Sequence, residues 1–426
     1  PQDGETYRFS VLGTEGIVPI SLFSDGGVTM SVVVPTPTPA VPGQIVLSQG
    51  DGGITSSYRV SIDDDGALAF VPKSSFLGLP PNFAEANNLD TSRSVNTAVG
   101  DIDRDGNDDI VVGFGPQSES AFIPSQVIAF TTSGGTDGRP SVITARNVFV
   151  PTASNPLLRN PRGAINVAVG NFISENNPMI AAAQGLGGGH IIRILQYADG
   201  KLDIKGQLQG LTGAAVNTNT SGGTSVAAGD IDGDGLDELI VGQMNGQNAQ
   251  SMFQILNLYL DANNNVQILG RRTAPVRGIH PKLKGEGGVN LAVGDVDGDG
   301  DAEIVATTAG NTSNGGGFIQ VIELTLDEKV NKINTKVSSV SRLDNKAPQA
   351  FGQALNPSGG LSVAVGNLDT DGADEIIVGT QAIVTVGEDG TVTVTEASDQ
   401  SFARIFDYDS DTGFTQRGGP FRAFFG

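Results

Sequence analysis

The sequence predicts an all-β fold made of repeated sheets, each with four short strands. Three observations support this fold class. An acidic loop of nine residues, flanked by apolar runs, recurs along the chain. The copies are separated by similar lengths of sequence, and turn residues divide each interval into short apolar segments. The chain shows no long stretch with the 3.6-residue periodicity of an amphipathic helix.

The clearest copy of the loop covers residues 295–303, with the sequence DVDGDGDAE. Carboxylates occupy loop positions 1, 3, 5 and 9, and Gly300 follows the fifth position. Alternate side chains of such a tight loop can converge on one cation, and calcium takes six to eight oxygen ligands. The loop lies between two apolar runs that predict strands, whereas an EF-hand loop of twelve residues joins two helices.

The repeat spacing predicts the architecture. Further acidic loops cover residues 101–109, 230–238 and 367–375, while the copy at residues 171–179 lacks acids at positions 3 and 9. We expect this last copy to bind no metal. The first loop positions are separated by 70, 59, 65 and 72 residues. A repeat of about 65 residues with four short strands has the size of a β-propeller blade.

The loops, their flanks and their period resemble the FG-GAP/VCBS repeats that build integrin-α-type β-propellers. The resemblance covers residues 95–426 closely and residues 27–94 weakly. The glycine-rich stretches Gly187–His190 and Gly315–Phe318 stand where the family has its Phe-Gly and Gly-Ala-Pro marks, as in bacterial members. The resemblance implies a calcium-binding propeller, and it does not extend to integrin-like ligand binding.

We expect one propeller domain over residues 1–426, with the acidic loops between the first and second strands of four-stranded blades. Residues 95–426 supply five clear repeats, with an inserted hairpin near 381–397, and residues 27–94 supply a less regular blade. Residues 1–26 are expected to share a closing blade with the C-terminus. This arrangement gives seven blades, and six is the alternative. An alanine three positions before each loop and a glycine one position before it suit a crowded central strand.

The acidic loops are candidate structural calcium sites, about four per chain. Bound ions would relieve the repulsion among the clustered carboxylates and fix the turn between the two strands. The expected ligands are the side chains at positions 1, 3, 5 and 9 and the carbonyl oxygen at position 7: Asp101, Asp103, Asp105, Asn107, Asp109, Asp230, Asp232, Asp234, Leu236, Glu238, Asp295, Asp297, Asp299, Asp301, Glu303, Asn367, Asp369, Asp371, Ala373 and Glu375.

Other candidate sites have simpler interpretations. Acids at positions 407, 409 and 411 could form a fifth cation site, although a hairpin turn is expected there. His190 is expected to pack or to hydrogen-bond behind three glycines. His280 lies in a cationic loop that could bind an anion, although a solvated loop is the preferred interpretation. We expect no catalytic residues, because no Ser-His-Asp, HExxH or phosphate-loop pattern occurs.

Composition excludes several classes of protein. A formal charge of −22 argues against nucleic acid and anionic membrane surfaces as partners, although four calcium ions would offset 8 of these charges. No segment approaches the roughly 18 apolar residues of a membrane span, so we expect no membrane insertion. The absence of cysteine excludes disulfides and thiol chemistry. Calcium at the concentration such loops need is extracellular, which predicts a secreted or cell-surface protein, and we expect a bacterial one.

Three functions fit this pattern. The first is a binding or adhesion module that engages a protein or glycan at the cell surface. The alternative is a structural subunit of an extracellular assembly or filament, which self-associates through exposed strands. The third is a polysaccharide-active enzyme such as a lyase, which two isolated histidines support poorly. The absence of tryptophan weakens a lectin interpretation, because sugars commonly stack on indole rings. We therefore expect a protein that is not an enzyme.

Overall fold

The computed structural model describes residues 16–23, 27–30, 43–49, 54–62, 68–77, 96–115, 125–131, 142–149, 165–185, 188–211, 223–244, 251–271, 276–277, 288–309, 319–327, 332–338, 360–368, 372–380, 383–386, 392–395 and 402–422. These residues form strands and turns, which confirms the expected all-β class. Within these ranges there is no helix of the length and apolar character that a membrane span requires.

The N-terminal sheet has five strands: β1 (Gly16–Phe23), β2 (Gly27–Met30), β3 (Gly43–Gln49), β4 (Ile54–Ile62) and β5 (Leu68–Leu77). Their order in the sheet is β2-β1-β3-β4-β5. Strand β1 pairs in parallel with β3, and the other pairs are antiparallel. Residues from both 1–26 and 27–94 thus belong to the same sheet.

Five further sheets follow the predicted pattern of four antiparallel strands in chain order. Their strands are β6 (Asn96–Gly100), β7 (Asp109–Phe114), β8 (Ser125–Thr131) and β9 (Val142–Phe149); β10 (Asn166–Gly170), β11 (Met179–Ala183), β12 (Ile191–Ala198) and β13 (Lys201–Gln209); β14 (Thr224–Gly229), β15 (Glu238–Gln243), β16 (Met252–Leu260) and β17 (Val266–Arg271), with β18 (Val276–Arg277) pairing with β16; β19 (Val289–Gly294), β20 (Glu303–Thr308), β21 (Ile319–Asp327) and β22 (Lys332–Ser338); and, in the last sheet, β23 (Leu361–Gly366), β24 (Glu375–Thr380), β27 (Phe402–Asp409) and β28 (Gly413–Arg422).

An inserted hairpin interrupts the last sheet, as the sequence predicts near residues 381–397. It consists of β25 (Ile383–Val386) and β26 (Val392–Thr395), which form a separate two-stranded sheet. Its register pairs Val384 with Val394 and Val386 with Val392.

The sheets are arranged around a common centre. The first strands of neighbouring sheets contact one another in the order β6, β10, β14, β19 and β23. Strands β1 and β2 contact both β23 and β6, so the N-terminal sheet lies between the last and the first regular sheet. This is the arrangement of blades in a propeller.

The described residues form six sheets of four or more strands, whereas the sequence favoured seven blades. In the expected seven-bladed arrangement, residues 1–26 would close a separate blade with the C-terminus. Instead, the parallel pairing of β1 with β3 brings the described part of this segment into the N-terminal sheet. Strand β28 pairs with β27 of its own sheet. Residues 1–15 and 423–426 lie outside the described ranges.

Apolar side chains fill the spaces between neighbouring sheets. Strand β15 illustrates the pattern: Leu239 and Val241 belong to a cluster shared with the preceding sheet, and Ile240 belongs to a cluster shared with the following sheet. All three side chains are fully buried. A strand that is buried on both faces needs consecutive apolar residues, which explains the unbroken apolar runs of the second strands.

Neighbouring first strands approach too closely for a side chain at the glycines that precede four of the loops, Gly100, Gly170, Gly229 and Gly294. A Cβ atom on Gly100 would lie 2.6 Å from Cγ1 of Val169, and one on Gly229 would lie 2.4 Å from Cγ1 of Val293. These distances are shorter than van der Waals contact. The glycines are therefore required by the spacing of the strands around the centre.

Polar side chains at the beginning of three first strands connect their sheets to the sheets that follow. Asn166 Nδ2 donates to the carbonyl oxygen of Thr224 over 2.7 Å, and Ser225 Oγ donates to that of Val289 over 2.7 Å. Asn290 Nδ2 donates to the carbonyl oxygen of Leu361 over 2.8 Å. All three bonds are buried, and each accepting carbonyl belongs to the first residue of the next first strand: β14, β19 or β23. We call these bonds the first-strand clamps.

The variant Ser225→Ala tests one clamp with minimal change in volume. Loss of the hydroxyl leaves the Val289 carbonyl without this donor, so we expect the free energy of unfolding to fall by about 1–2 kcal/mol. Urea denaturation followed by circular dichroism measures the change. The exposed Ser174 supplies the control, and Ser174→Ala should have almost no effect. Equal stability of the two variants would contradict a stabilising role for the clamp.

Candidate metal centre

The acidic loops connect the first and second strands of their sheets, as predicted. Position 9 is the first residue of the second strand in each case: Asp109 begins β7, Glu238 begins β15, Glu303 begins β20 and Glu375 begins β24. In the last loop, residues 369–371 lie outside the described ranges, so Asp369 and Asp371 remain sequence predictions.

The carboxylate at position 1 organises the turn through backbone hydrogen bonds. Asp295 Oδ1 accepts from the amides of Gly298 (2.8 Å) and Asp299 (3.1 Å), and its Oδ2 accepts from the amide of Gly300 (3.0 Å). Asp230 makes the same three contacts at 2.8, 3.2 and 2.8 Å. Asp101 accepts from positions 5 and 6 of its loop.

Positions 4 and 6 adopt left-handed backbone conformations. Position 6 is glycine in every acidic loop, with φ between 86° and 102°. Position 4 is also left-handed, at Gly233 (φ 71°), Gly298 (φ 76°) and Arg104 (φ 64°). Arginine disfavours this conformation because of its Cβ atom, by roughly 1–2 kcal/mol. The Arg104 guanidinium hydrogen-bonds Oδ1 of Asn177 in the neighbouring loop, which holds the side chain in place.

The carboxylate at position 9 accepts a hydrogen bond from the backbone amide at position 2 and so connects the two ends of the loop. Glu303 Oε2 accepts from the Val296 amide over 3.0 Å, and Glu238 Oε2 accepts from the Ile231 amide over 3.2 Å. Asp109 and Glu375 make the corresponding bond to position 2. These acids are buried. In the loops at residues 101–109, 230–238 and 295–303, backbone amides therefore fix the carboxylates at both positions 1 and 9.

Three of the loops bring carboxylate oxygens together. The groups are Asp101, Asp103 and Asp109; Asp230, Asp232 and Asp234; and Asp295, Asp297 and Asp299, each with ligand atoms within 4.8 Å of one another. Ligand distances of about 2.3–2.6 Å place the oxygens around a calcium ion within such a separation. Asp297 Oδ1 is buried and has no hydrogen-bond partner among the described residues, so it is available to a cation.

The groups differ in detail from the sequence assignment. Asp105 is not in the first group, and Glu238 and Glu303 are not in the other two. At position 7 the amides of Asn107, Leu236 and Asp301 donate to the carboxylate at position 5 over 2.9 Å. Coordination by the carbonyl oxygens of these residues and of Ala373 stays a prediction.

Burial and mutual repulsion disfavour the charged forms of these acids. Burial raises the pKa of Glu238 to about 8. Burial, reinforced by the charge of Asp297, raises the pKa of Glu303 to about 9. The pKa values of Asp103 and Asp297 are also raised, first by burial and then by neighbouring aspartates. A bound cation would reverse the effect, since it stabilises the ionised carboxylates.

Sequence reasoning assigned no role to the acids at position 8, which the structure shows to connect neighbouring loops. Asp374 Oδ2 accepts from the Asp295 amide over 3.1 Å, and the Asp374 amide donates to the Asp295 carbonyl over 2.7 Å. Asp237 makes the same pair of bonds with Asn171, at 2.6 and 3.2 Å. Each aspartate thus connects its loop to the loop of the preceding sheet. We call the two hydrogen bonds that each aspartate makes an inter-blade latch. Burial, followed by the charge of Asp295, raises the pKa of Asp374 to about 7.

The copy without acids at positions 3 and 9 is held by side chains. Asn171 is fixed by the latch from Asp237. Asn177 Oδ1 accepts from Gln196 Nε2 over 2.8 Å and from the Arg104 guanidinium. No group of metal-binding residues is found in this loop, which the structure describes in full.

The minor candidates have structural partners. Asp407 Oδ2 accepts from Arg417 Nε over 2.5 Å, and Asp409 Oδ1 accepts from the amides of Asp411 and Thr412. These contacts fit a hairpin turn. The buried His190 has its Nδ1 2.8 Å from Oγ1 of Thr224, in agreement with the expected hydrogen-bonding role. His280 lies outside the described residues.

The raised pKa values predict how the metal-free protein responds to pH. Between about pH 4.5 and 9 the folded protein holds a proton on Glu303 that the unfolded chain has lost, so stability falls as pH rises. We expect a lower melting temperature at pH 8 than at pH 6 after metal removal. Glu303→Gln should weaken this dependence, and the exposed control Glu175→Gln should retain it. A melting temperature that rises between pH 6 and 8 would contradict the assignment.

Comparison with known proteins supports the repeat family. A model of the FG-GAP repeat matches residues 222–251, which include β14, the loop 230–238 and β15. No curated protein sequence matches the chain significantly.

Among solved structures, the six-bladed Aleuria aurantia lectin is 12% identical, with 97% of each chain covered and a TM-score of 0.38. Rhamnogalacturonan lyase YesW is 12% identical, with 96% of this chain and 83% of that chain covered and a TM-score of 0.36. These distant similarities support no functional assignment. The match to the repeat model confirms the resemblance inferred from the loops: the chain carries an FG-GAP repeat.

Proposed function

We propose that the protein is a calcium-stabilised β-propeller that acts outside the cell or at its surface as a binding or adhesion module. The observation that carries the proposal is the recurrence of grouped carboxylates at the same place in three sheets. A fourth loop, at residues 367–375, has the same sequence pattern. About four calcium ions per chain would occupy these loops.

The local geometry of the loops supports calcium. The donor atoms are carboxylate oxygens, which calcium prefers, and no sulfur or imidazole is among them. Backbone amides already orient the acids at positions 1 and 9, so the turn is formed before an ion arrives. The buried Oδ1 of Asp297 would gain a partner on binding. The ion would also stabilise the ionised forms of the acids, whose pKa values burial raises first and neighbouring charges raise further.

A structural role for the loops is favoured over a catalytic one. Among the described residues, every carboxylate with a raised pKa lies in an acidic loop: Asp103, Asp237, Glu238, Asp297, Glu303 and Asp374. Cation binding and the inter-blade latches account for these residues without a reaction. We therefore infer that the protein is not an enzyme, and that its partner is a protein or a glycan.

The metal content and stability of Asp297→Ala test the calcium sites. We expect the parent protein to bind about four calcium ions and to melt at a higher temperature with calcium than without it. Occupancy at 100 times the dissociation constant stabilises by about 2.7 kcal/mol per site. The variant should lose one ion and keep the others. The exposed control Asp203→Ala removes the same charge outside the loops and should retain every ion. Full retention by Asp297→Ala would show that the ligand assignment is wrong.

Self-association is the second candidate function, and the β25–β26 hairpin favours it. The hairpin pairs with no other strand among the described residues, so both of its edges present backbone groups. Eight β-branched residues make up its strands, without a charge or proline to discourage edge pairing. Isolated two-stranded hairpins have marginal stability, and addition of the same hairpin from a second copy would extend the sheet.

Three measurements on the calcium-loaded protein distinguish the functions. Immobilised glycans and cell-surface proteins should capture a binding module, and calcium removal should abolish capture. Sedimentation velocity over a range of concentrations should reveal an assembly subunit, and deletion of residues 381–397 should then restore the monomer. Incubation with uronate polysaccharides detects lyase activity through the ultraviolet absorbance of unsaturated products. Such products, formed without stable capture of any ligand, would overturn the proposed binding function.

A further inference from the structure

We propose that the candidate calcium site at residues 295–303 is shared between two sheets: the tip of the β27–β28 hairpin covers it, and Ser410 at this tip holds Asp297 in position to bind the ion. We call the tip, residues 409–413, the hairpin cap. The inference deepens the proposed function and rests on it, since it concerns one of the calcium loops named there. It assigns Ser410 as a positioning residue rather than as a ligand.

The β27–β28 hairpin of the last sheet packs against this loop. Val296, at position 2 of the loop, is fully buried and belongs to the same apolar cluster as Phe406 and Tyr408 of β27. Phe414 of β28 packs against the cluster, with its ring centroid 6.2 Å from that of Phe406 and 5.2 Å from that of Tyr408. These aromatic side chains therefore hold the end of the hairpin beside the loop.

The hairpin cap forms an ordered turn. Asp409 pairs with Gly413 at the end of the ladder. Asp409 Oδ1 accepts from the Asp411 amide over 3.0 Å, and from the amide and the hydroxyl of Thr412 over 2.7 and 2.8 Å. Gly413 adopts a left-handed conformation, with φ 82°. The turn that carries Ser410 is thus formed by the cap's own hydrogen bonds.

Ser410 contacts a candidate ligand of the ion. Its hydroxyl donates a hydrogen bond to the Asp297 carboxylate. Asp297 Oδ1 is buried and has no hydrogen-bond partner among the described residues, so the bond from Ser410 falls on Oδ2. A donor on one oxygen stabilises the ionised carboxylate and orients its other oxygen, as the partners of ligating side chains do at metal sites. Ser410 would thus leave Oδ1 available to the cation.

The loop at residues 101–109 provides a comparison within the chain. Ile102, at position 2, belongs to a cluster against which Tyr197 of the following sheet packs. The hairpin that carries Tyr197 has a shorter turn, which contains only Asp199 and Gly200. Neither residue carries a hydroxyl group that could donate to a carboxylate. A hairpin therefore lies beside this loop too, but it lacks the donor that Ser410 supplies.

Terbium luminescence can report on the two sites separately. Terbium occupies calcium sites and emits when a nearby aromatic residue absorbs light, and the chain contains no tryptophan. Tyr408 belongs to the cluster of the capped loop, and Tyr197 packs against the cluster of the loop at residues 101–109. The background Tyr197→Phe therefore reports on the capped site, and the background Tyr408→Phe reports on the other. Loss of emission in Asp297→Ala identifies the signal of the capped site.

The variant Ser410→Ala tests the cap. It should weaken terbium binding about tenfold in the first background and speed the release of terbium to a chelator, with no change in the second background. Competition by calcium should show the same loss of affinity. Ser410→Thr keeps the hydroxyl and should retain the affinity of the parent. The matched control Thr415→Val removes an exposed hydroxyl from the same hairpin and should change nothing.

The outcomes separate this inference from the proposed function. If the parent protein binds neither terbium nor calcium, the proposed function fails. If ions bind but Asp297→Ala keeps the whole signal, or Ser410→Ala binds as tightly as the parent, the function stands and the cap is refuted. An equal loss in both backgrounds would also refute it, because the effect would then be general to the fold.

Circular dichroism checks the fold of every variant, and the hairpin cap offers a second test should Ser410→Ala fail to fold. Asp409→Asn keeps an acceptor oxygen for the turn and should retain the affinity of the capped site. Asp409→Ala removes this acceptor and should weaken binding there. Equal affinities of these two folded variants would refute the cap.

Discussion

The close approach of neighbouring first strands is the constraint on which the rest of the structure depends. It requires glycine at the end of first strands such as β6 and β14, where a Cβ atom would collide with a valine of the next sheet. The first-strand clamps fix the spacing at the beginning of these strands, and the inter-blade latches fix it at the loop end. The loops can recur in the same position only because this spacing is repeated around the centre.

The acidic loops combine two opposing electrostatic demands. Backbone amides hold the carboxylates at positions 1 and 9 in place, and the same arrangement crowds like charges into a half-buried turn. Protonation or cation binding relieves this crowding. Burial first, and the neighbouring aspartates in addition, raise the pKa values of Glu238 and Glu303. The crowding of charge arises within each loop. The latches hydrogen-bond two of these loops to the loops of the preceding sheets.

Local sequence patterns predicted the features that depend on nearby residues. The spacing of acids and glycines located the turns, and consecutive apolar residues such as Leu239, Ile240 and Val241 indicated strands buried on both faces. The parallel pairing of β1 with β3 was not predictable, because strand alternation does not encode the direction of pairing. The latches were missed because Asp374 and its partner Asp295 are 79 residues apart. The pair of aspartates at positions 8 and 9 of the first loop, and the Asp-Glu pairs of two others, were the available signal.

The loop at residues 171–179 gives one sheet a different kind of support from that of its neighbours. Amide and guanidinium groups, from Gln196 and Arg104, restrain Asn177 where the other loops present clustered acids to solution. The groups that make these hydrogen bonds belong to the chain itself, so they are not lost to solution as a bound ion would be. If the acidic loops hold calcium as proposed, its removal takes a support from their turns, whereas the turn between β10 and β11 keeps its side-chain hydrogen bonds.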